Sequence, residues 1–211
     1  MPRSSLAQLK PLPRSFFHRD PRLVGRELLG KVLLRREGRA ILAGRIVELE
    51  AYLGAEDEAA HAFRGKTDRN AVLFGPSGHA YVYFIYGNHY CLNVSCLPQG
   101  QSLLFRALEP IAGMELMAAN RDLELTGKPT QLRLLTSGPG RLAEALEITR
   151  TRDNGKDLVD PASDLRIVDD GFRPEAIRES ARIGITKSID LPLRYSIDGN
   201  LFVSGKKLAK E

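Results

Sequence analysis

Cysteine is almost missing from this chain: of 211 residues only Cys91 and Cys96 carry a thiol. They lie close together, with no His/Cys cluster at zinc spacing beside them, which argues against a disulfide framework and a structural zinc site. Cys91 reads instead as a small buried hydrophobe. No apolar run approaches the length that spans a membrane, and the opening MPRSSLAQLKPLPRSFF lacks the continuous apolar core of a signal peptide. The expected location is the cytoplasm, nucleoid-associated, in a bacterium and the nucleus in a eukaryote. There is no P-loop, no G-x-G-x-x-G and no zinc-deaminase signature, and no lysine sits embedded in an apolar strand where it could serve as a Schiff-base nucleophile. The expected complement of metals and cofactors is therefore none.

What the chain does hold is an ordinary globular composition, 43% hydrophobic and 27% charged, with a net charge of +5 that suits a polyanionic partner. No repeat or low-complexity linker divides it. One α+β domain over residues 1–211 is expected, with 1–15 as a loosely ordered arm, built on a curved, largely antiparallel sheet with surrounding helices. Asp20-Pro21 reads as an N-cap and first helical residue, followed by Leu23, Val24, Leu28 and Leu29 on one face, with Gly30 ending the helix. Residues 31–34 and 40–49 read as strands around a polar turn, and 102–108 as another. A helix is expected over 113–121, a polar connection over 122–136, a helix over 141–146 and loops over 147–170. A short helix over 174–182 precedes a closing hairpin of 193–197 and 201–204.

The stretch HAYVYFIYGNHYCLNV carries the clearest pattern. Tyr81, Tyr83 and Ile85 alternate with Val82, Phe84 and Tyr86, the period of a strand, and Gly87-Asn88 supplies a two-residue turn. A protruding hairpin results, with Tyr86 at its tip. A large aromatic there is poorly placed to fill a core and well placed to enter a base stack; packing on a sheet is the plainer alternative.

Several polar groups sit in apolar surroundings. Glu50 lies at the end of a strand among Val47, Leu49, Ala51 and Leu53, where a carboxylate is costly unless it is hydrogen-bonded or functional. Tyr52 shares its face and so does Glu48, so either glutamate could be the working one. Arg106 follows Leu103-Leu104-Phe105, Asn93 lies between Leu92 and Val94, and His61 closes the turn at 58–60. Arg106 would pair well with Glu50, as a site or as a buried structural ion pair. The loop with Arg64, Lys66 and Arg69 is basic, and Ser137-Gly138-Pro139-Gly140 before a helix, with Arg141, offers free N–H groups to a phosphate.

Taken together, GRIVELEAYLGAEDEAAHAF, YVYFIYGNHYCLNV, LLFRALEP, SGPGRL and LPLRYSIDGNLFVSG resemble the alkyladenine (3-methyladenine) DNA glycosylase family, monofunctional enzymes that excise damaged purines. The motifs run in order from about Phe16 to the final strand; the basic loop after His61 is slightly shorter than in the family. The resemblance implies that Glu50, rather than Glu48, is the general base that activates water for attack on C1′ of a flipped nucleotide, with Arg106 holding the water and Glu50. It implies that Tyr52, His61 and Tyr83 line the pocket that stacks the purine, and that Asn93 disfavours the 2-amino group of guanine. Tyr86 would wedge into the gap left in the duplex, and Arg64, Lys66, Arg69 and Arg141 are the candidates for contacts to the DNA backbone. The implied enzyme is a monomer with no membrane association. It acts on double-stranded DNA carrying 3-methyladenine, 7-methylguanine and, in a wider range, hypoxanthine and ethenoadenine, without lyase activity. A non-catalytic nucleic-acid-binding module and a glycosidase of small nucleosides are the rival classes.

Overall fold

The computed structural model describes residues 3–85, 87–125 and 129–205, so Tyr86 lies outside the described residues. Eight strands form one open sheet among them: β1 (Val32–Glu37), β2 (Ala40–Tyr52), β3 (Ala80–Ile85), β4 (His89–Ser95), β5 (Ser102–Ala112), β6 (Leu165–Val168), β7 (Ile177–Ser180) and β8 (Arg194–Ile197). All pair antiparallel in the order β3-β4-β5-β2-β1-β6, and β8 joins both β2 and β7. β2 is the axis of the sheet. Its first half pairs with β1 and its second half with β8, while β5 runs along its other edge. Register shifts around residues 46–49 re-aim its side chains just where the two glutamates lie.

Seven helices surround the sheet among the described residues: α1 (Arg3–Gln8), α2 (Arg14–Phe17), α3 (Pro21–Leu28), α4 (Met114–Ala119), α5 (Pro129–Thr136), α6 (Pro139–Ala145) and α7 (Arg150–Asp153). At α3 the sequence reading holds: the Asp20 carboxylate accepts from the Arg22 N–H at 2.7 Å, and Pro21 begins the helix. The expected apolar face is narrower than drawn, because Leu23 sits a 100° step off the Val24/Leu28 stripe and is 53% exposed. Gly25 has a packing reason, since a Cβ there would stand 2.8 Å from the Tyr195 ring on β8.

One cluster holds the main core: Phe17, Val24 and Leu28 beside alternate residues of the sheet, including Val47, Leu49, Ala51, Val82, Leu92, Val94, Leu103 and Phe105. The opposite parity of β3, β4 and β5 faces away from it. That leaves Tyr81, Tyr83, Cys91 and Leu104 to build a second, smaller cluster on the other face.

Five expectations need correction. The helix expected over 174–182 is replaced by β7, an edge strand whose reason to be extended is its pairing with β8. The closing hairpin is half right: 194–197 is β8, but 201–204 is turn, with Val203 and Ser204 buried. The expected connection over 122–136 contains α5, and the expected loops over 147–170 contain α7 and the strand β6, which completes the sheet beside β1. The hairpin turn is one residue longer than expected, because Ile85 opposes His89. At the N-terminus, α1 buries Leu6, and the Leu12 N–H bonds to the Ile167 carbonyl at 2.8 Å.

Candidate active site

Strand parity builds a cavity of about 660 Å3 on the face of the sheet turned away from the main core. Across the β3/β4 hairpin, Tyr81 opposes Asn93, Tyr83 opposes Cys91 and Ile85 opposes His89, and all six line the cavity. From β5 come Ser102, Leu104 and Arg106, again alternate residues, and Tyr52 ends β2 beside them. The turn at 59–61, the 137–141 segment that opens α6, and Ile183 to Ile185 complete the wall.

The aromatic wall is tightly coupled. His61 packs edge-on to Tyr83, centroids 4.5 Å apart, and its Nδ1 lies 2.9 Å from the Tyr81 hydroxyl. Burial, assisted by the nearby Arg69 charge, lowers the His61 pKa, so the ring is neutral at neutral pH. Burial likewise raises Tyr83, with Cys91 next in effect, and raises Tyr52, with the Glu50 charge next. Both hydroxyls therefore stay protonated. The Asn93 side-chain amide donates to the Tyr81 carbonyl at 3.2 Å, which fixes it in the wall.

Behind Tyr52 and Arg106 lie two fully buried carboxylates. Glu48 accepts four hydrogen bonds: Oε1 accepts from Arg106 Nε at 2.9 Å, Arg194 Nε at 2.7 Å and the Ser204 hydroxyl at 2.9 Å, and Oε2 accepts from the Ser204 N–H at 2.5 Å. Glu50 holds fewer partners. Its Oε1 accepts from the Ile183 N–H at 2.8 Å and pairs with Arg106 Nη1 at 3.2 Å, while Oε2 accepts from the Tyr52 hydroxyl at 3.0 Å. Arg106 thus spans both glutamates. Burial works against its charge, but Glu50 and Glu48 outweigh that and raise its pKa.

Tyr52, His61, Tyr83, Asn93, Arg106 and Arg141 all line the one cavity, and Glu50 sits immediately behind three of its wall residues, Tyr52, Arg106 and Ile183. Arg64, Lys66 and Arg69 are exposed on the loop past His61. Arg141 is exposed at the start of α6, where Gly140 passes so close to His89 that a Cβ would stand 2.8 Å from its ring. Sequence reasoning missed Ile183, whose donor is a backbone N–H, and Arg194 and Ser204, which hold Glu48. Cys91 is the small buried hydrophobe that was expected, and it also lines the cavity.

An open antiparallel sheet with an aromatic cavity backed by an arginine-held carboxylate belongs, by comparison with known proteins, to a DNA glycosylase: a DNA-repair hydrolase of N-glycosyl bonds. The chain belongs to the family described as Methylpurine-DNA glycosylase (MPG), which matches residues 15–201. A protein of Koribacter versatilis, provisionally named a 3-methyladenine DNA glycosylase, is 77% identical over 98% of this chain and 99% of its own length. Proteins with the same provisional name from Burkholderia lata and Methanoculleus marisnigri are 49% and 47% identical, each over 92% of this chain and over 91% and 98% of their own lengths.

Proposed function

We propose that this enzyme draws a damaged purine out of duplex DNA into the cavity between Tyr52, His61 and Tyr83 and hydrolyses its N-glycosidic bond with water activated by Glu50. The observation that carries the reading is the pair of buried glutamates. Of the residues that hold Glu48 only Arg106 lines the cavity, whereas among the described residues Glu50 accepts hydrogen bonds from Ile183 and Tyr52 and pairs with Arg106 Nη1, all three of them wall residues, and its Oε2 keeps room for a further donor, which the reading assigns to the water. In the reaction the water gives a proton to Glu50, its oxygen bonds to C1′, and the electron pair of the broken bond leaves with the base. As the base departs, C1′ of the sugar develops positive charge, which a carboxylate stabilises.

The cavity chemistry suits a cationic purine such as 3-methyladenine, the lesion in the relatives' names. Tyrosine faces attract positive charge, and a neutral His61 adds none of its own to oppose it. The fixed Asn93 amide would crowd a 2-amino group on a normal guanine. Flipping costs a few kcal/mol, least at a damaged base, and the reading gives Tyr86 the task of filling the vacated stack. Arg64, Lys66, Arg69 and Arg141 are assigned to the phosphate backbone, and the working form is assigned to a monomer.

The test is release of base from duplex oligonucleotides each carrying 3-methyladenine, 7-methylguanine, hypoxanthine or ethenoadenine, read as strand breakage after alkali, beside release from the free nucleosides. Excision from duplex alone is the expected result. Equal release from nucleosides would favour a small-molecule glycosidase, and none from any duplex would remove this reading.

A further inference from the structure

Residues 181–193 connect β7 to β8, and only Arg182 and, at the far end against β8, Leu193 are buried among them. Ile183, Gly184 and Ile185 of this stretch nonetheless form part of the cavity wall, and the Ile183 N–H donates to Glu50. A solvent-exposed connection with so little burial opens easily unless something ties it down. The tie is the Arg182 guanidinium. Its Nη1 donates to Asp57 Oδ2 at 2.5 Å and to the Ala51 carbonyl at 2.9 Å, and its Nη2 donates to Asp57 Oδ1 at 2.8 Å and to the Ser188 carbonyl at 3.4 Å. The same guanidinium covers a face of the Tyr52 ring, 4.6 Å from its centroid. Asp57 is held in turn by the N–H groups of Leu53 and Ala59, and both side chains of the pair are fully buried.

We infer that Asp57 and Arg182 are positioning residues for excision. Gripped in two places by one carboxylate, the planar fork fixes the backbone on its C-terminal side, so that the Ile183 N–H meets Glu50 Oε1, and it also braces Tyr52. A lysine could satisfy the charge of Asp57 but could not hold Asp57, Ala51 and Ser188 together in that fixed geometry. The inference rests on the assignment of Glu50 as the base.

A second ion pair serves as the control. Arg35 and Asp153 are also both fully buried, 2.8 Å apart, and neither lines the cavity. The experiment compares wild type with Asp57→Asn, Arg182→Lys, Asp153→Asn and Glu50→Gln, all at a temperature where each is folded. It measures single-turnover excision of 3-methyladenine from a duplex, and duplex affinity by fluorescence anisotropy. Asp57→Asn and Arg182→Lys are expected to excise about 10- to 100-fold more slowly, the cost of a small misplacement of a reacting group, while keeping duplex affinity. Asp153→Asn should melt earlier yet excise at the wild-type rate. Wild-type rates in both Asp57→Asn and Arg182→Lys, with Glu50→Gln inactive, would overturn the inference and spare the base. An equal slowing in Asp153→Asn would also overturn it, by reducing the pair to a structural one. Full activity in Glu50→Gln would instead remove the assignment of Glu50 itself. If Asp57→Asn fails to fold, Arg182→Lys, which keeps a cation beside Asp57, carries the comparison.

Discussion

Glu50→Gln separates chemistry from folding because the structure allows the amide to fit. Oε1 of Glu50 accepts from the Ile183 N–H and pairs with Arg106 Nη1, whereas Oε2 receives, among the described residues, only the Tyr52 hydroxyl. A glutamine can keep its carbonyl at the first position and direct its NH2 at the Tyr52 oxygen, which then turns from donor to acceptor. The Tyr52 O–H loses its acceptor and turns to the cavity that Tyr52 lines, and Arg106 keeps its second partner, Glu48, at 2.9 Å. The stability cost is therefore about 1 kcal/mol, the weakening of hydrogen bonds that have lost an ionised partner. The chemical cost is much larger. A glutamine cannot take a proton from water, and a general base contributes about 100- to 10,000-fold, or about 2.7 to 5.4 kcal/mol at 1.36 kcal/mol per decade. Single-turnover release of 3-methyladenine from a duplex, followed by alkaline strand breakage, reads the first quantity; thermal unfolding and anisotropy with the same duplex read the others. The expected variant melts near wild type, binds, and excises at least about 100-fold more slowly. Excision within tenfold of wild type in a variant that folds and binds would refute the assignment.

Glu48→Ala should act in the opposite sense, on stability first. It leaves Arg106 and Arg194 without the carboxylate they share, a loss of about 3 to 5 kcal/mol. At about 2 to 4 °C per kcal/mol for a chain of this size, the melting temperature should drop by roughly 6 to 20 °C; a drop under about 2 °C counts against the anchoring role given to Glu48. Acid should weaken the fold in a defined window. Burial works to raise the Asp164 pKa, but Lys156 and Arg35 overcome it and pull it down to about 2. Asp164 thus adds stability above the unfolded carboxylate value of about 3.9 that is lost as pH falls through about 2. Asp164→Asn should flatten the fall in melting temperature between those limits, and an unchanged slope would contradict the pairing. Asn93→Ala should raise excision of normal guanine by about tenfold or more, the order a single pocket group controls, and an unchanged guanine rate would show that Asn93 is not the gate.

The parts of the fold that were legible in the sequence are those where one chemical pattern dominates. The alternation of Tyr81, Tyr83 and Ile85 with Val82 and Phe84 announced β3 and its cavity face because that strand has a wet side and a dry side. The start of α3 was legible because Asp20-Pro21 acts locally. β7 was not, since its residues are largely exposed and only the distant β8 makes them extended. Glu50, Tyr52 and Arg106 stood out as polar groups in apolar strands, yet the choice between Glu48 and Glu50 came from the family resemblance, because both share a face and both reach Arg106. Arg182 was invisible for a physical reason: its partner Asp57 lies 125 residues away, and its effect on Glu50 passes through a backbone N–H that any residue at 183 would supply.

The alternation of the β3/β4 hairpin also has a use for anyone wishing to retarget this enzyme. Positions 81, 83, 85, 89, 91 and 93 face the ligand space, while 82, 92 and 94 are committed to the main core. The two sets interleave along the same two strands without sharing a position. A combinatorial library restricted to the first set would search lesion preference while leaving the core positions of the hairpin unaltered, so that the variants recovered would differ mainly in which base they accept.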